Sequence, residues 1–234
     1  MRATSEVADS YPSLATRRFR IRPFALSDIR RLVSIAGEHR VSDTSIGVPH
    51  PYTTEFARMW ISSHPIEWKR RQALHWAATR DGEGAEDEIL GYVGLHNIDH
   101  VRRQAEARFW VGSGVDRLGF AREWLEAIVE FAIARLNLCR IYALQVARHP
   151  LAGRVLAAIG MQQDGLARKR IYKEGLMEDI LVWSIEEQEW QAVRTPEEQH
   201  VSSRAAADST GRPATADLEP EPRRHPEVRP PADG

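Results

Sequence analysis

Gly112, Gly114 and Gly119 stand just ahead of a long periodic apolar run, and the chemistry that this spacing allows is anion binding. Phe120, Ala121, Trp124, Leu125, Ile128, Val129, Ala132, Ile133 and Leu136 recur at three-and-four spacing and so share one helix face. Glu123, Glu126, Glu130 and Arg135 fill the other. A helix that starts beneath a glycine-containing loop points free backbone N–H groups at one spot, which suits a phosphate. The same strand, loop and helix also occur without a ligand, so these residues permit a phosphate site without requiring one.

Other reactive residues are sparse. Cys139 is the only cysteine, which excludes an internal disulfide and a thiolate-rich metal cluster. It lies in an apolar run and reads as a small buried hydrophobe. The histidines show no ligand spacing, so no metal is expected. A chain of 234 residues with 42% hydrophobic and 28% charged residues is large enough for one good core. The formal net charge of −1 gives no pull toward polyanions. The clusters Lys69-Arg70-Arg71, Arg102-Arg103 and Arg168-Lys169-Arg170 therefore read as solvated basic faces, and nucleic acid is not the expected partner. The N-terminal residues lack the apolar core of a signal peptide and no stretch is long enough to span a bilayer. A cytoplasmic protein without a membrane partner is the expectation.

The elements that must position these residues follow from patterning. Residues 1–16 are small and polar and read as a disordered N-terminus. RFRIRPF alternates as a first strand, and Ser27 with Asp28 caps a helix that ends near Gly37. His39 to Tyr52 reads as irregular, and Thr53 or Thr54 opens a helix with Phe56, Met59, Trp60 and Ile61, followed by a further helix or extended piece through Trp68. Ala73–Ala78 is a strand, and DGEGAEDE a turn. Ile89–Leu95 and Ala105–Val111 form an antiparallel pair joined by NIDHVRRQ. After the long helix come a strand at Ile141–Val146 and a helix opened by Pro150 and closed by Gly160. Two final strands, Ala167–Tyr172 and Ile180–Ile185, turn at Gly175. The strands flanking the long helix must run parallel, because a helix crosses between them. A mixed α/β sheet with helices on both faces results. Beyond residue 190 seven of the thirteen prolines crowd the last forty residues, which read as a disordered tail over 191–234.

Several pieces in this order resemble the GNAT acyltransferases, of the RimJ/RimL N-acetyltransferase type. They are RFRIRPFALSDI, HPYTTEFARMWI, ILGYVGLHNID, AEARFWVG, the loop and helix, ARHPLAGRVLAAIGM, and RIYKEGLMEDILVWSI with EQEW, and they span residues 17–190. The resemblance implies the GNAT fold: a mixed, mostly antiparallel sheet with a central splayed parallel pair. It implies acetyl-CoA as co-substrate, its thioester and pantetheine held by backbone at Trp110, Val111 and Gly112. The pyrophosphate would lie at the loop and helix start, Arg117, Leu118, Gly119, Phe120, Ala121 and Arg122. His149 occupies the pantetheine-contacting position of the family's motif, and Arg154 falls on that motif's arginine. Asp116 and Arg117 depart from the family's loop, and His149 and Ala152 stand where relatives tend to have asparagine and serine.

For the acetyl transfer so implied, Glu106 is the candidate base, on the central strand opposite the face of Ala105, Ala107, Phe109 and Val111. It reads equally well as a partner for Arg103 or Arg108. His96 on the preceding strand is the alternative base, and Tyr172 a candidate acid or cleft-lining residue. His50 and Tyr52 lie where substrate-binding loops tend to be. The expected acceptor is a protein N-terminal α-amine or a small-molecule amine, attacked in a ternary complex. The competing reading is a non-catalytic acyl-CoA-binding or interaction module. A homodimer is compatible with the sequence, which does not fix the oligomeric state.

Overall fold

A computed structural model describes residues 11–80, 88–113, 117–173 and 175–194, the side chain of Arg117 excepted. The strand order in its eight-stranded sheet is β1-β2-β3-β4-β5-β6-β8-β7. The strands are β1 (Leu14–Ala15), β2 (Phe19–Pro23), β3 (Leu74–Arg80), β4 (Ile89–Asp99), β5 (Gln104–Val111), β6 (Arg140–Val146), β7 (Gln162–Lys173) and β8 (Leu176–Glu186). Every neighbouring pair is antiparallel except β5 and β6. That pair is parallel because the helix α4 (Arg117–Ala134) connects its strands. α4 buries Ala121, Trp124, Leu125, Ile128, Val129 and Ala132 on one sheet face, the stripe its periodicity predicts. The helix α5 (Pro150–Ala158) joins it there through Val155 and Leu156. The opposite face carries α1 (Ile29–Ala36), α2 (His39–Thr44) and α3 (Thr54–Lys69), over a second core of Leu32, Ile35, Ala57, Ile61, Tyr92 and Trp110.

Several expectations need correction. Residues 11–16 are not a loose terminus: Leu14 and Ala15 pair with β2, and the Trp76 indole N–H donates to the Pro12 carbonyl at 2.7 Å. Asp28 does not cap α1 with its side chain; its carboxylate accepts from Arg22 and from the Ala25 amide at 2.7 Å. α2 lies inside the stretch that reads as irregular. α3 runs unbroken to Lys69 through Pro65, opened by Thr53, whose hydroxyl accepts from the Phe56 amide. A helix also spans 187–194, beyond the expected boundary at 190, and the buried Trp190 donates from it to Glu130 at 2.9 Å. The DGEGAED part of the expected turn and the tail from residue 195 lie outside the described residues.

Candidate active site

β5 and β6 pair only at Gln104–Arg140, Ala105–Ile141 and Glu106–Tyr142. Beyond Glu106, β5 stays on β4 as far as Val111 while β6 stays on β8 as far as Val146, so the strands part. A cavity of about 540 Å³ opens at that gap. Ala107, Phe109 and Val111 of β5 and Ala152 and Val155 of α5 line it from the α4–α5 side. Tyr52, Phe56, Trp60, Tyr92 and Trp110 line it from the side of α1–α3. It therefore reaches both sheet faces, and the edge of β5 that faces it makes no ladder with β6 there.

Glu106 lies in this cavity with only 2% of it exposed. Its Oε1 accepts from Arg108 Nε at 2.6 Å and its Oε2 from Arg108 Nη2 and Asn97 Nδ2, each at 2.9 Å. The pairing with Arg108 is formed, though buried rather than solvated. Asn97 carries no sequence pattern that marks it; it sits with φ 49° at an irregularity between β4 and β5, a left-handed conformation that asparagine tolerates. His96 also lines the cavity, and its Nε2 lies 2.5 Å from the Tyr92 hydroxyl. Burial first, with the Arg108 guanidinium adding to it, holds it well below imidazole's usual range.

His149 precedes α5 without capping it by its side chain. Gln145 Nε2 holds its carbonyl at 2.9 Å, and burial with the neighbouring Arg148 keeps its ring below the usual titration range. His149 Nε2 is buried and lies 3.1 Å from Asp43 Oδ2 in a geometry that makes no hydrogen bond. That leaves an orphaned polar atom on the wall of the cavity, which fits a polar group on an entering pantetheine arm. Trp110 stacks on Tyr92 at 5.7 Å, and the Gly112 amide donates to the Leu90 carbonyl at 2.8 Å. A Cβ at Gly112 would lie 3.0 Å from Ile35 Cγ2 and 3.1 Å from the Leu90 carbonyl, so the chain leaves β5 through a tight space.

The phosphate end implied by the resemblance stands apart from this cavity. Phe120 packs edge-on to Phe19 at 4.6 Å and Ala121 is buried, so only their backbone can face a ligand. Leu118 is exposed, the Gly119 carbonyl accepts from Arg18 at 3.0 Å, and Arg122 pairs with Glu126 at 2.7 Å along the helix. Arg154 is exposed on α5. Gly114, Asp116 and the Arg117 side chain lie outside the described residues. Tyr172 is 71% exposed on the β7–β8 hairpin and does not line the cavity. His50 does not line it either, whereas Tyr52 does. Among the described residues no group of His, Cys, Asp and Glu could hold a metal ion.

α2 contributes His39, Arg40, Val41, Asp43 and Thr44 to the cavity lining. Arg148 Nη1 donates to Asp43 Oδ2 at 3.0 Å while its Nε donates to Glu178 Oε1 at 2.6 Å, so one guanidinium joins α2 to β8. The Arg148 hydrogen bonds hold Asp43 below the usual carboxylate range. Lys173 adds donations to the carbonyls of Ser42 and Ser45.

The parted strands, the helix start beside them and the cavity through the sheet define a GNAT-fold protein. A solved structure of Mycobacterium smegmatis RimJ in complex with CoA-disulfide shares the fold, with a TM-score of 0.69 at 21% identity over 77% of this chain and 90% of that one. A spermidine N-acetyltransferase from Vibrio cholerae in complex with CoA and spermine gives 0.64 at 16% identity, over 74% and 97%. In sequence, the uncharacterised N-acetyltransferase YoaA of Bacillus subtilis is 25% identical over 75% of this chain and 97% of its own length. Residues 18–162 match the acetyltransferase (GNAT) domain family, and the chain belongs to it. It is an N-acetyltransferase with acetyl-CoA as co-substrate. Among the described residues no helix is long and apolar enough to cross a membrane.

Proposed function

We propose that the enzyme moves the acetyl group directly onto the nitrogen of a primary amine carried on an apolar body, such as an α-amine or an aromatic monoamine. The observation that carries this reading is the cavity through the β5–β6 gap, aromatic on the α1–α3 side where the acceptor would enter. Its carboxylates, Glu106 and Asp43, are already matched by Arg108 and Arg148, so among the described residues no free anionic site remains in it for the second cation of a polyamine. Cys139, the only cysteine, does not line the cavity, which supports direct attack in a ternary complex over an acyl-cysteine route. Backbone N–H groups on the open edge of β5 would stabilise the oxyanion of the tetrahedral intermediate. An α-amine with a pKa near 8 is partly neutral at pH 7 and needs only modest base assistance. His96, neutral and at the cavity wall, suits that role better than Glu106, whose oxygens are taken by Arg108 and Asn97.

The test is thiol release from acetyl-CoA with 2-phenylethylamine, an alanine-initiated tripeptide and spermidine in parallel. The monoamines should turn over and spermidine should not. A preference for spermidine would overturn the acceptor assignment. Thermal stabilisation by acetyl-CoA with no turnover of any amine would favour the non-catalytic reading; at a hundredfold excess over Kd, binding alone adds about 2.7 kcal/mol.

A further inference from the structure

Four side chains form one hydrogen-bonded line from the cavity wall to the outside of α3. His96 Nε2 lies 2.5 Å from the Tyr92 hydroxyl, that hydroxyl 3.2 Å from His75 Nδ1, and His75 Nε2 2.6 Å from Glu67 Oε2. The middle is sealed: His75 is 2% and Tyr92 4% exposed, with His64 stacked on His75 at 4.2 Å and Trp60 packed edge-on to it. Both ends open. Tyr92 and His96 face the cavity, and about a third of the Glu67 side chain (32%) meets solvent.

The ionised carboxylate can only accept, which makes His75 Nε2–H the donor to Glu67, and with His75 neutral the rest of the line has one direction. His75 donates Nε2–H to Glu67 and accepts from the Tyr92 O–H at Nδ1; Tyr92 in turn accepts Nε2–H from His96. Every bond is satisfied by this one assignment of tautomers, and it leaves the lone pair on His96 Nδ1 without a hydrogen bond among the described residues. Gly94 makes the line possible, because a Cβ there would collide with the Tyr92 hydroxyl and reach within 2.7 Å of the Leu74 carbonyl.

We propose that Glu67, His75, Tyr92 and His96 are a proton relay serving acetyl transfer, which rests on the reading of the cavity as the acceptor site. As the N–C bond forms, the acceptor N–H bond breaks and its proton joins His96 Nδ1. His96 passes its Nε2 proton to the Tyr92 oxygen, Tyr92 passes its own to His75 Nδ1, and His75 passes its Nε2 proton to the Glu67 carboxylate. The C–S bond then breaks with its electron pair on sulfur. The reverse shift returns a proton at His96 to the thiolate and restores all four groups. Amine and thioester become amide and thiol with no other reactant. The charge change thus appears at the wet end, and His96 at the cavity wall never has to stay cationic. His96 is the group that would touch substrate; Tyr92, His75 and Glu67 act through it.

The test uses the full chain with acetyl-CoA and 2-phenylethylamine or, if it turns over faster, the alanine-initiated tripeptide. In Glu67→Gln the amide oxygen can still accept from His75 but cannot take up a proton. Its kcat should fall about tenfold or more, with both KM values and the thermal shift by acetyl-CoA within twofold of the parent. Tyr92→Phe should behave alike. On the unaltered enzyme, kcat against the deuterium fraction of the solvent should curve, because several protons move together. An unchanged kcat in folded Glu67→Gln, or a linear plot for the unaltered enzyme, overturns the relay while leaving the transferase reading in place. Loss of that reading has a different signature: the unaltered enzyme would release no thiol with any amine.

Discussion

Arg108 neutralises a carboxylate that has almost no contact with water, so the two residues of the pair are unequal in what their loss exposes. Arg108→Ala would strand Glu106, 2% exposed, with only Asn97 as partner, and should cost about 3 kcal/mol in urea unfolding. Replacing both, as Glu106→Leu with Arg108→Met, should recover most of that loss, because two matched apolar groups leave no buried charge. Asn97 contributes through its backbone as well as its amide. Asn97→Ala should cost about 1–2 kcal/mol and Asn97→Gly less, since glycine relieves the φ of 49° but not the lost hydrogen bond. Equal losses in the two variants would show that the conformation carries no cost. At this scale the sequence is readable where a residue's strand and parity are readable. Glu106 and His96 could be placed because β4 and β5 are legible as an antiparallel pair, and they sit opposite one another in register. Asn97 and His75 could not. Asn97 depends on an irregularity in the ladder, and His75 reads as one more member of the apolar run that forms β3.

α4 shows both what periodicity reveals and what it hides. Its buried stripe follows from spacing, but Glu123, on the face that reads as solvated, is a tertiary anchor. It accepts from the Thr16 hydroxyl at 2.6 Å, the Arg18 amide at 2.9 Å and Arg18 Nε at 2.6 Å. Burial alone would raise its pKa, yet these hydrogen bonds outweigh that and hold it below the usual range. Glu123→Ala should therefore free residues 11–18 from the sheet edge, read as faster trypsin cleavage after Arg17 and Arg18. An unchanged cleavage rate would place the anchoring in the Tyr11 and Pro12 contacts instead. Two local rules misled for the same reason. Pro65 signals a helix end, but α3 buries Ile61, His64 and Trp68 around it, and packing of that face exceeds the roughly 3 kcal/mol a proline costs. α2 is six residues long, too short to show a period, and is held by Arg148 and Lys173 from elements more than a hundred residues away. Separations of that size leave no local trace.

At the scale of the molecule, the two cores divide the labour: α4 and α5 back the sheet on the side of the splayed backbone, and α1 and α3 enclose an aromatic layer that contains His64, His75 and His96. The lowered pKa values of His64 and His96 couple global stability to pH. Burial lowers His64 to about 3, and its Nε2 has no hydrogen-bond partner; burial also holds His96 well below its usual range. Between each folded pKa and the unfolded value near 6.5, the unfolded chain binds more protons, so stability falls as pH falls. Each ring should contribute roughly 1 kcal/mol per pH unit across that window. Glu67, brought down to about 2 chiefly by its hydrogen bond to His75, adds to the loss only below its unfolded value of about 4.5. The interval from pH 6.5 to pH 4.5 therefore isolates the histidines. Urea unfolding at half-unit steps should give a falling free energy there, and His64→Phe should remove one ring's share of the slope. At pH 7.5 the same variant should be no less stable than the parent, since phenylalanine fills a similar space between Phe24 and Trp60 without an orphaned ring nitrogen. A variant slope equal to the parent's would falsify the assignment of this pH dependence to His64 and move it to His96 and His149, whose pKa values burial also lowers.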